Sequence, residues 1–484
     1  MQDLECIQKQ QLTQNATPVW DIELIHKYNI SGPRYTSYPT APQLQEGFTI
    51  KDWLKSVRVS NASGTPLSLY FHIPFCDTVC YYCGCNKIIT ANKKRAEPYV
   101  EALKKEIRMQ AQYIDTRRTV TQIHFGGGTP TYLSNRQLSE LVSTIRTEFN
   151  LAIDTELEFS IEIHPQTVTP DRIHFLREIG FNRLSLGIQD FDIDVQKAVN
   201  RFNSEEEVRA LIQSARECGY RSISLDLIYG LPKQTLAGFL TTLDKVIALD
   251  ADRLSLFNYA HMPNLFKTQS QIDVRDLPEP QTKLAILHDA IQKLCFSGYQ
   301  FIGMDHFAKP DDELSIAQRN KTMQRNFQGY STGGECDLYA FGVSSIANFG
   351  GRYIQNYKSI DEYYQKINNN ELASYKSIQT THDDTLRRFV INALICHFDV
   401  SFTEFKNTFN CDFTEYFQSE LEEIKELAND GLVELTDDKI IVCDVGQLLV
   451  RRVCQVFDSY INKPQHAHIH GENHTKPVQY SRII

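Results

Sequence analysis

The sequence has no apolar run long enough to span a bilayer. Its first residues, Met1-Gln-Asp-Leu-Glu-Cys6, are polar and hold no apolar signal core. It has no basic surplus either. Fifty Lys and Arg stand against sixty Asp and Glu, a formal net charge of −10, which argues against a broad nucleic-acid-binding face. No second Cys-x-x-Cys motif is present, and nothing suggests export, so disulfides are not expected. What remains is a water-soluble chain of cytoplasmic type. At 484 residues it has room for two or three domains and at least one large core.

What is present is concentrated in one stretch, Cys76-Asp-Thr-Val-Cys80-Tyr-Tyr-Cys83-Gly-Cys85-Asn86. Eight further cysteines (Cys6, Cys218, Cys295, Cys336, Cys396, Cys411, Cys443 and Cys454) are scattered singly, most of them in apolar context as packed thiols. Three thiolates at a three-then-two spacing suit an iron–sulfur cluster. With three ligands for four irons, one iron stays open to a non-protein ligand. Structural zinc, which prefers four ligands, and inert packing are the rival readings.

From Leu67 the pattern is regular. Short β-rich runs at Leu67–Ile73, Gln122–Phe125, Glu158–Ile163, Arg183–Ile188, Ser222–Ile228 and Arg253–Tyr259 alternate with helical stretches. These stretches are Glu97–Tyr113, Asn135–Phe149, Asp171–Ile179, Glu205–Cys218 and Leu236–Ala248. Strand then helix, repeated, predicts parallel strands with crossover helices. Six units make a partial (β/α)6 barrel, whose chemistry belongs at the C-terminal ends of the strands. Polar or glycine-rich residues fall there in every run: the cysteine loop, Gly126-Gly127-Gly128-Thr129-Pro130, Glu162, Gln189-Asp190, Asp226 and Asn258-Tyr-Ala260-His261. One such coincidence would mean little, but six argue for one shared pocket. Residues 1 to about 20 read as a mobile tail. Gly32-Pro-Arg34-Tyr35-Thr-Ser37-Tyr38-Pro39-Thr reads as an extended, anchored arm. Between 260 and about 365, glycine and aromatics predict loops and short strands that close the barrel mouth. From about 366 the chain is mostly helical, with a hairpin at Gly431–Cys443 and a final helix at about Gly446–Ile461. Together these look like a small winged-helix unit. DNA binding is not expected of it in so acidic a chain that lacks a basic recognition helix. His466, His468, His470 and His474 read as a tail insertion more than as a metal trap.

The cysteine spacing resembles that of the radical SAM superfamily. More narrowly, His72-Ile-Pro-Phe-Cys76, Cys83-Gly-Cys85-Asn86-Lys87 and the Gly32–Thr40 arm resemble the oxygen-independent coproporphyrinogen III oxidase (dehydrogenase) family. The likeness runs from about Asp21 to Tyr480-Ser-Arg-Ile-Ile484. It implies an α/β fold, a partial (β/α)6 radical SAM barrel with a mainly helical, winged-helix-like C-terminal domain. The expected division is 1–66, a tail and substrate-lining arm; 67–365, the catalytic barrel; 366–463, the helical domain; and 464–484, a tail.

The resemblance further implies one [4Fe–4S] cluster held by Cys76, Cys80 and Cys83, with Cys85 a non-ligand. It implies two S-adenosyl-L-methionine (SAM) molecules. Tyr70, Gly127, Glu162 and Ile346 match positions around the cluster-bound SAM. Tyr82, Gly128, Thr129, Gln189, Arg201, Asp226 and Ala260 match the second. Tyr82 stands where a relative has Phe, and His164 where the pattern has Asp. The implied activity is decarboxylation of two propionates of coproporphyrinogen III to vinyl groups, giving protoporphyrinogen IX, through a 5′-deoxyadenosyl radical. A heme chaperone and a heme-degrading radical SAM methyltransferase are the alternatives. Expected partners are the substrate, a low-potential electron donor and an electron acceptor, with the chain a monomer. Because the substrate carries four propionates and the chain is acidic, a local cation is needed. Arg34 is the leading candidate and Arg325 a weaker one.

Overall fold

The computed structural model describes residues 17–332, 336–461 and 480–484. The expectations for the first sixteen residues and for the histidine-containing tail lie outside the described residues. The chain divides into two compact units. One comprises Leu44–Ala290 and Glu335–Gln379; the other comprises the described parts of Met1–Gln43, Ile291–Gly334 and Thr380–Ile484.

The larger unit carries six parallel strands in chain order: β1 (Leu67–Ile73), β2 (Thr119–Gly127), β3 (Glu158–Ile163), β4 (Arg183–Gln189), β5 (Ser222–Tyr229) and β6 (Arg253–Asn258). Helices cross between them: α1 (Ala96–Ala111), α2 (Asn135–Glu148), α3 (Pro170–Glu178), α4 (Glu205–Glu217) and α5 (Leu236–Ala248). Local chemistry starts these helices on schedule. Ser134 with Gln137, and Ser204 with Glu207, form reciprocal capping boxes at α2 and α4. Along each strand the period of two splits the side chains. Phe159, Ile161 and Ile163 of β3 are buried, whereas Glu158, Ser160 and Glu162 are only partly so. The same alternation places Ile223, Leu225 and Leu227 of β5 opposite Ser224 and Asp226.

The sheet extends beyond the six expected strands. After Cys336 the chain forms β7 (Asp337–Phe341), parallel to β1, then antiparallel β8 (Ile346–Phe349), β9 (Arg352–Asn356) and β10 (Ser374–Gln379). The sequence reading had only short closing strands up to about residue 365 and helix beyond it, so the strand at Ser374–Gln379 corrects that expectation: its backbone pairs with β9 and extends the sheet. β7 has no polar–apolar alternation to betray it, because Leu338 to Phe341 are all buried. Its register is pinned by Asp337, which pairs with the buried Arg118 at 2.5 Å and accepts from Thr65 and Ser60.

The smaller unit contains α6 (His382–His397), β11 (Asp399–Ser401), α7 (Phe402–Phe409), α8 (Gln418–Asn429), β12 (Val433–Leu435), β13 (Lys439–Val442) and α9 (Val450–Val456). Its three-stranded antiparallel sheet runs β11-β13-β12, so the expected hairpin is present with a third strand beside it. The final helix is shorter than expected. Asp458, two residues past its end, accepts from the backbone N–H of Tyr460 and from the Tyr35 hydroxyl, which turns the chain. The Gly32–Thr40 arm is non-helical, as expected. It is fixed by Arg451, which donates to the carbonyls of Gly32 and Pro33, and by Tyr38, whose hydroxyl lies 3.1 Å from that of Ser459.

Candidate active site

Strand register gathers the inward-facing residues into neighbouring rows. Tyr70 sits beside His124, and His124 beside Ser160. Glu162 sits beside Ser185. Asp226 sits between Gly187 and Ser255. Parallel pairing holds alternate residues of adjacent strands at one level, so these groups share one face between mid-strand and the carboxyl ends although they are far apart in sequence.

One side of the site is built on β1 to β3. Glu162 accepts from the backbone N–H of Gly127 at 3.1 Å and lies 3.3 Å from His124 Nε2. Burial alone would raise its carboxyl. The hydrogen bond and charge of His124 and the Gly127 N–H outweigh that, so the group lies below its ordinary range and is ionised. Tyr70 stacks on His124, and its hydroxyl reaches His72 Nδ1 at 3.1 Å. His72 Nε2 in turn reaches the carbonyl of Asn86 at 3.0 Å, which ties the exit of the cysteine loop to β1. Gly127 has φ +116, a conformation that favours glycine, and a Cβ there would lie 2.6 Å from the His72 ring. A Cβ on Gly128 would lie 2.6 Å from the Pro74 carbonyl. The glycines thus allow the chain to close beneath the cysteine loop.

The other side is built on β4 to β6. Asp226 accepts from Ser185 Oγ at 2.7 Å and is also bonded by Ser255. Burial dominates over these two hydroxyls and pushes its carboxyl up to about 6. Arg201 donates from Nε to the Gly187 carbonyl at 3.1 Å and from Nη1 to Cys80 Sγ at 3.5 Å. Gln189 has φ +71 and packs with Arg201 over Gly187, where a Cβ would meet both side chains within 2.8 Å. His164 is buried, its Nε2 has no hydrogen-bond partner, and burial followed by the charge of Arg201 holds its imidazole down at about 3. The position that breaks the expected Asp pattern is therefore neutral.

The cysteine loop joins the two sides. Thr129 Oγ1 donates to Cys76 Sγ at 3.4 Å, and Arg201 reaches Cys80. Burial raises the Cys76 thiol to about 11. Cys83 is lowered to about 6, first by a hydrogen bond from Cys85 and then by Lys87. Cys85 is raised well above the ordinary thiol range, chiefly because it donates that bond. Among the described residues no three His, Cys, Asp or Glu side chains converge as a single-ion site. The residues nevertheless fit a cluster. The Cys80 and Cys83 thiols act electrostatically on Cys76, polar donors point at two of the sulfurs, and a cubane seats each thiolate on a separate iron.

The structure therefore brings together Tyr70, Gly127, Gly128, Thr129, Glu162, Gln189, Arg201 and Asp226 with the cysteine loop. Tyr82 and Ala260 meet through a residue the sequence reading missed. Gln269 Nε2 donates to the Tyr82 carbonyl at 2.9 Å and to the Ala260 carbonyl at 3.3 Å. Thr268 Oγ1 donates to the Cys83 carbonyl at 3.2 Å, and Phe266 lies against Gly84. Short 3-10 geometry at Lys267–Gln271 leaves no periodic signal to find them by. His124, missed likewise, was visible only as the inward-facing polar residue of an apolar run. Ile346 opens β8 of the same unit, paired with Gln355. Arg34 belongs to the smaller unit, where it is ion-paired with Asp305, and its carbonyl accepts from Arg325 Nε.

Fold and loop together define a radical SAM enzyme: residues 70–246 match the Radical SAM superfamily, and 380–449 match the HemN C-terminal domain. Membership implies a [4Fe–4S] cluster and SAM. The chain is 49% identical over 442 residues to the oxygen-independent coproporphyrinogen III oxidase of Pseudomonas aeruginosa, covering 91% of this chain and 96% of that one. It is 48% identical over 465 residues to the Escherichia coli protein of the same name, covering 96% and 98%. The solved structure of coproporphyrinogen III oxidase (HemN) from Escherichia coli matches with a TM-score of 0.88 at 46% identity, over 92% of this chain and 100% of that one. The chain belongs to the oxygen-independent coproporphyrinogen III oxidase family.

Proposed function

We propose that this protein converts coproporphyrinogen III to protoporphyrinogen IX without oxygen. Each of two propionates loses a hydrogen atom from the carbon beside the ring, then CO2 and one electron, and becomes a vinyl group. The observation that carries the reading is the cysteine loop standing over two separate polar sets at the strand ends, in a chain of this family. When bound, the cluster and SAM supply a 5′-deoxyadenosyl radical.

The chain's own residues hold and orient. Cys76, Cys80 and Cys83 bind the cluster. Tyr70, Gly127, Glu162 and Ile346 seat one SAM, with the ionised Glu162 balancing a cationic ligand group. Tyr82, Gly128, Thr129, Gln189, Arg201, Asp226 and Ala260 seat a second, with Arg201 suited to a carboxylate and Asp226 to ribose hydroxyls. Two adjacent sites explain why the strand ends carry more polar partners than one SAM requires. Arg34, ion-paired with Asp305, receives a propionate. The functional division into an arm (1–66), barrel (67–365), helical domain (366–463) and tail (464–484) follows the same reading, although by compactness residues 44–66 and 366–379 go with the larger unit and 291–332 with the smaller. So do a cytoplasmic monomer and external partners that give and take single electrons. No helix among the described residues is long and apolar enough to cross a membrane.

The test is anaerobic reconstitution with iron, sulfide, SAM and reductant, followed by product analysis. Protoporphyrinogen IX with released CO2 is expected. Methylated or ring-opened product would overturn the reading.

A further inference from the structure

Immediately beyond the cysteine loop, Asn86 to Arg95 carries four cations, Lys87, Lys93, Lys94 and Arg95, and no acidic residue, in a chain with a net charge of −10. The segment is bound to a cluster cysteine by its backbone. Ile89 registers with Cys76, and the Thr90 N–H donates to the Cys76 carbonyl at 2.9 Å. It is also on the surface: Ala91 to Arg95 are exposed, and the apolar side chain of Ile89 is 39% exposed.

Two of the cations are used locally. Lys87 donates to the Cys83 carbonyl at 2.8 Å, and Lys93 pairs with Asp77 at 2.8 Å. Among the described residues the Lys94 and Arg95 side chains make no hydrogen bond or ion pair, and their position is unfavourable. Arg95 is the N-cap residue of α1 and makes no side-chain capping bond, so positive charge stands at the end of the helix where an anion is preferred. Glu97, in the first turn, is engaged by Arg136. Helix stability thus gives no reason for this charge. The proposed reaction, on which this inference rests, needs one electron from outside the chain for each radical formed. A single backbone hydrogen bond joins this surface to a cluster cysteine.

We propose that Ile89 to Arg95 is the docking surface for an electron-carrier protein. The partner is a low-potential one-electron carrier with an acidic face, drawn by Lys94 and Arg95 and seated on Ile89. It gives up one electron per encounter, which reduces the cluster by one electron. Complementary charge of this kind sets encounter rate and orientation and weakens as salt screens it.

The test uses the reconstituted enzyme and, as probe, a reduced plant-type [2Fe–2S] ferredoxin, an acidic carrier of low potential. Affinity is read by fluorescence anisotropy of labelled ferredoxin for the wild type, Lys94→Gln/Arg95→Gln and Lys94→Glu/Arg95→Glu. At low ionic strength the charge reversal should weaken binding about ten-fold or more, with the neutral pair in between. At about 1 M salt, where screening acts within roughly 3 Å, the three proteins should converge. Turnover driven by dithionite should be unchanged in all three, while turnover driven by ferredoxin falls in the order of affinity. Equal affinities at low salt, or an equal fall with both reductants, overturns the proposal. If the wild type forms no product with either reductant, the reaction itself is wrong, and the affinity series still decides the surface.

Discussion

Glu162 and Asp226 are carboxylates two strands apart, both inward-facing and both near the ends of their strands, yet they are held in opposite ways. Glu162 has a ring nitrogen and a backbone N–H aimed at it and stays charged. Asp226 has two serine hydroxyls, and burial lifts it to about 6. The identity of the donors makes the difference, since a ring nitrogen and a backbone N–H outweigh burial at Glu162, whereas two serine hydroxyls do not at Asp226. The contrast suits two ligand sites with different demands. In the proposed reading, one balances a cation and the other takes hydroxyls.

The comparison presupposes the cluster, and breaking that has the largest effect. Cys80→Ser should lose the four-iron centre and all turnover, whereas Cys85→Ser should retain iron. Iron and sulfide content with the visible spectrum after anaerobic reconstitution checks both. Full loading in Cys80→Ser would remove this residue from the ligand set. Next comes Glu162→Gln, which attacks one side alone. It should keep the cluster but weaken SAM binding by roughly 10- to 150-fold, the range for a charge-assisted bond of about 1.5–3 kcal/mol. Equilibrium binding of labelled SAM reads this, and an unchanged affinity would assign Glu162 a packing role.

Asp226→Asn sharpens the other side through pH. A carboxyl raised from 3.8 to about 6 binds more protons folded than unfolded between these values, so it costs stability as pH rises through that window. The cofactor-free variant should therefore be more stable to unfolding than the wild type at pH 8, by up to about 3 kcal/mol in denaturant titration. The gap should close near pH 4. A constant gap across that range would show that Asp226 is not raised. The smallest effect is expected outside the comparison. Arg34→Ala should weaken substrate binding about ten-fold, equivalent to about 1.4 kcal/mol, with cluster content unchanged. An unaltered apparent affinity would leave Arg34 as the partner of Asp305 only.

Much of this was legible because parallel strands repeat a simple rule. Leu67–Ile73 and Glu158–Ile163 coincide with observed strands, and the polar residue at each carboxyl end marked one pocket before any geometry was known. Asp337–Phe341 was not legible as a strand. It is buried almost throughout, and its alignment depends on Arg118, more than two hundred residues earlier. Gln269 was invisible for a similar reason, since an isolated glutamine gains meaning only through two carbonyls brought to it by the fold. Arg34 stood out as a cation in an aromatic arm, but its counter-ion Asp305 could be found only in space. The opposite shifts of the Glu162 and Asp226 carboxyls were beyond reach too, because they depend on neighbours one strand away.

The central claim is that the two carboxylates serve two SAM sites. The measurement that meets it most directly is the number of SAM molecules bound per reconstituted chain, in the wild type and in Asp226→Asn. Two are expected in the wild type and one in the variant, each with a full cluster. One in the wild type, or two in the variant, would contradict it.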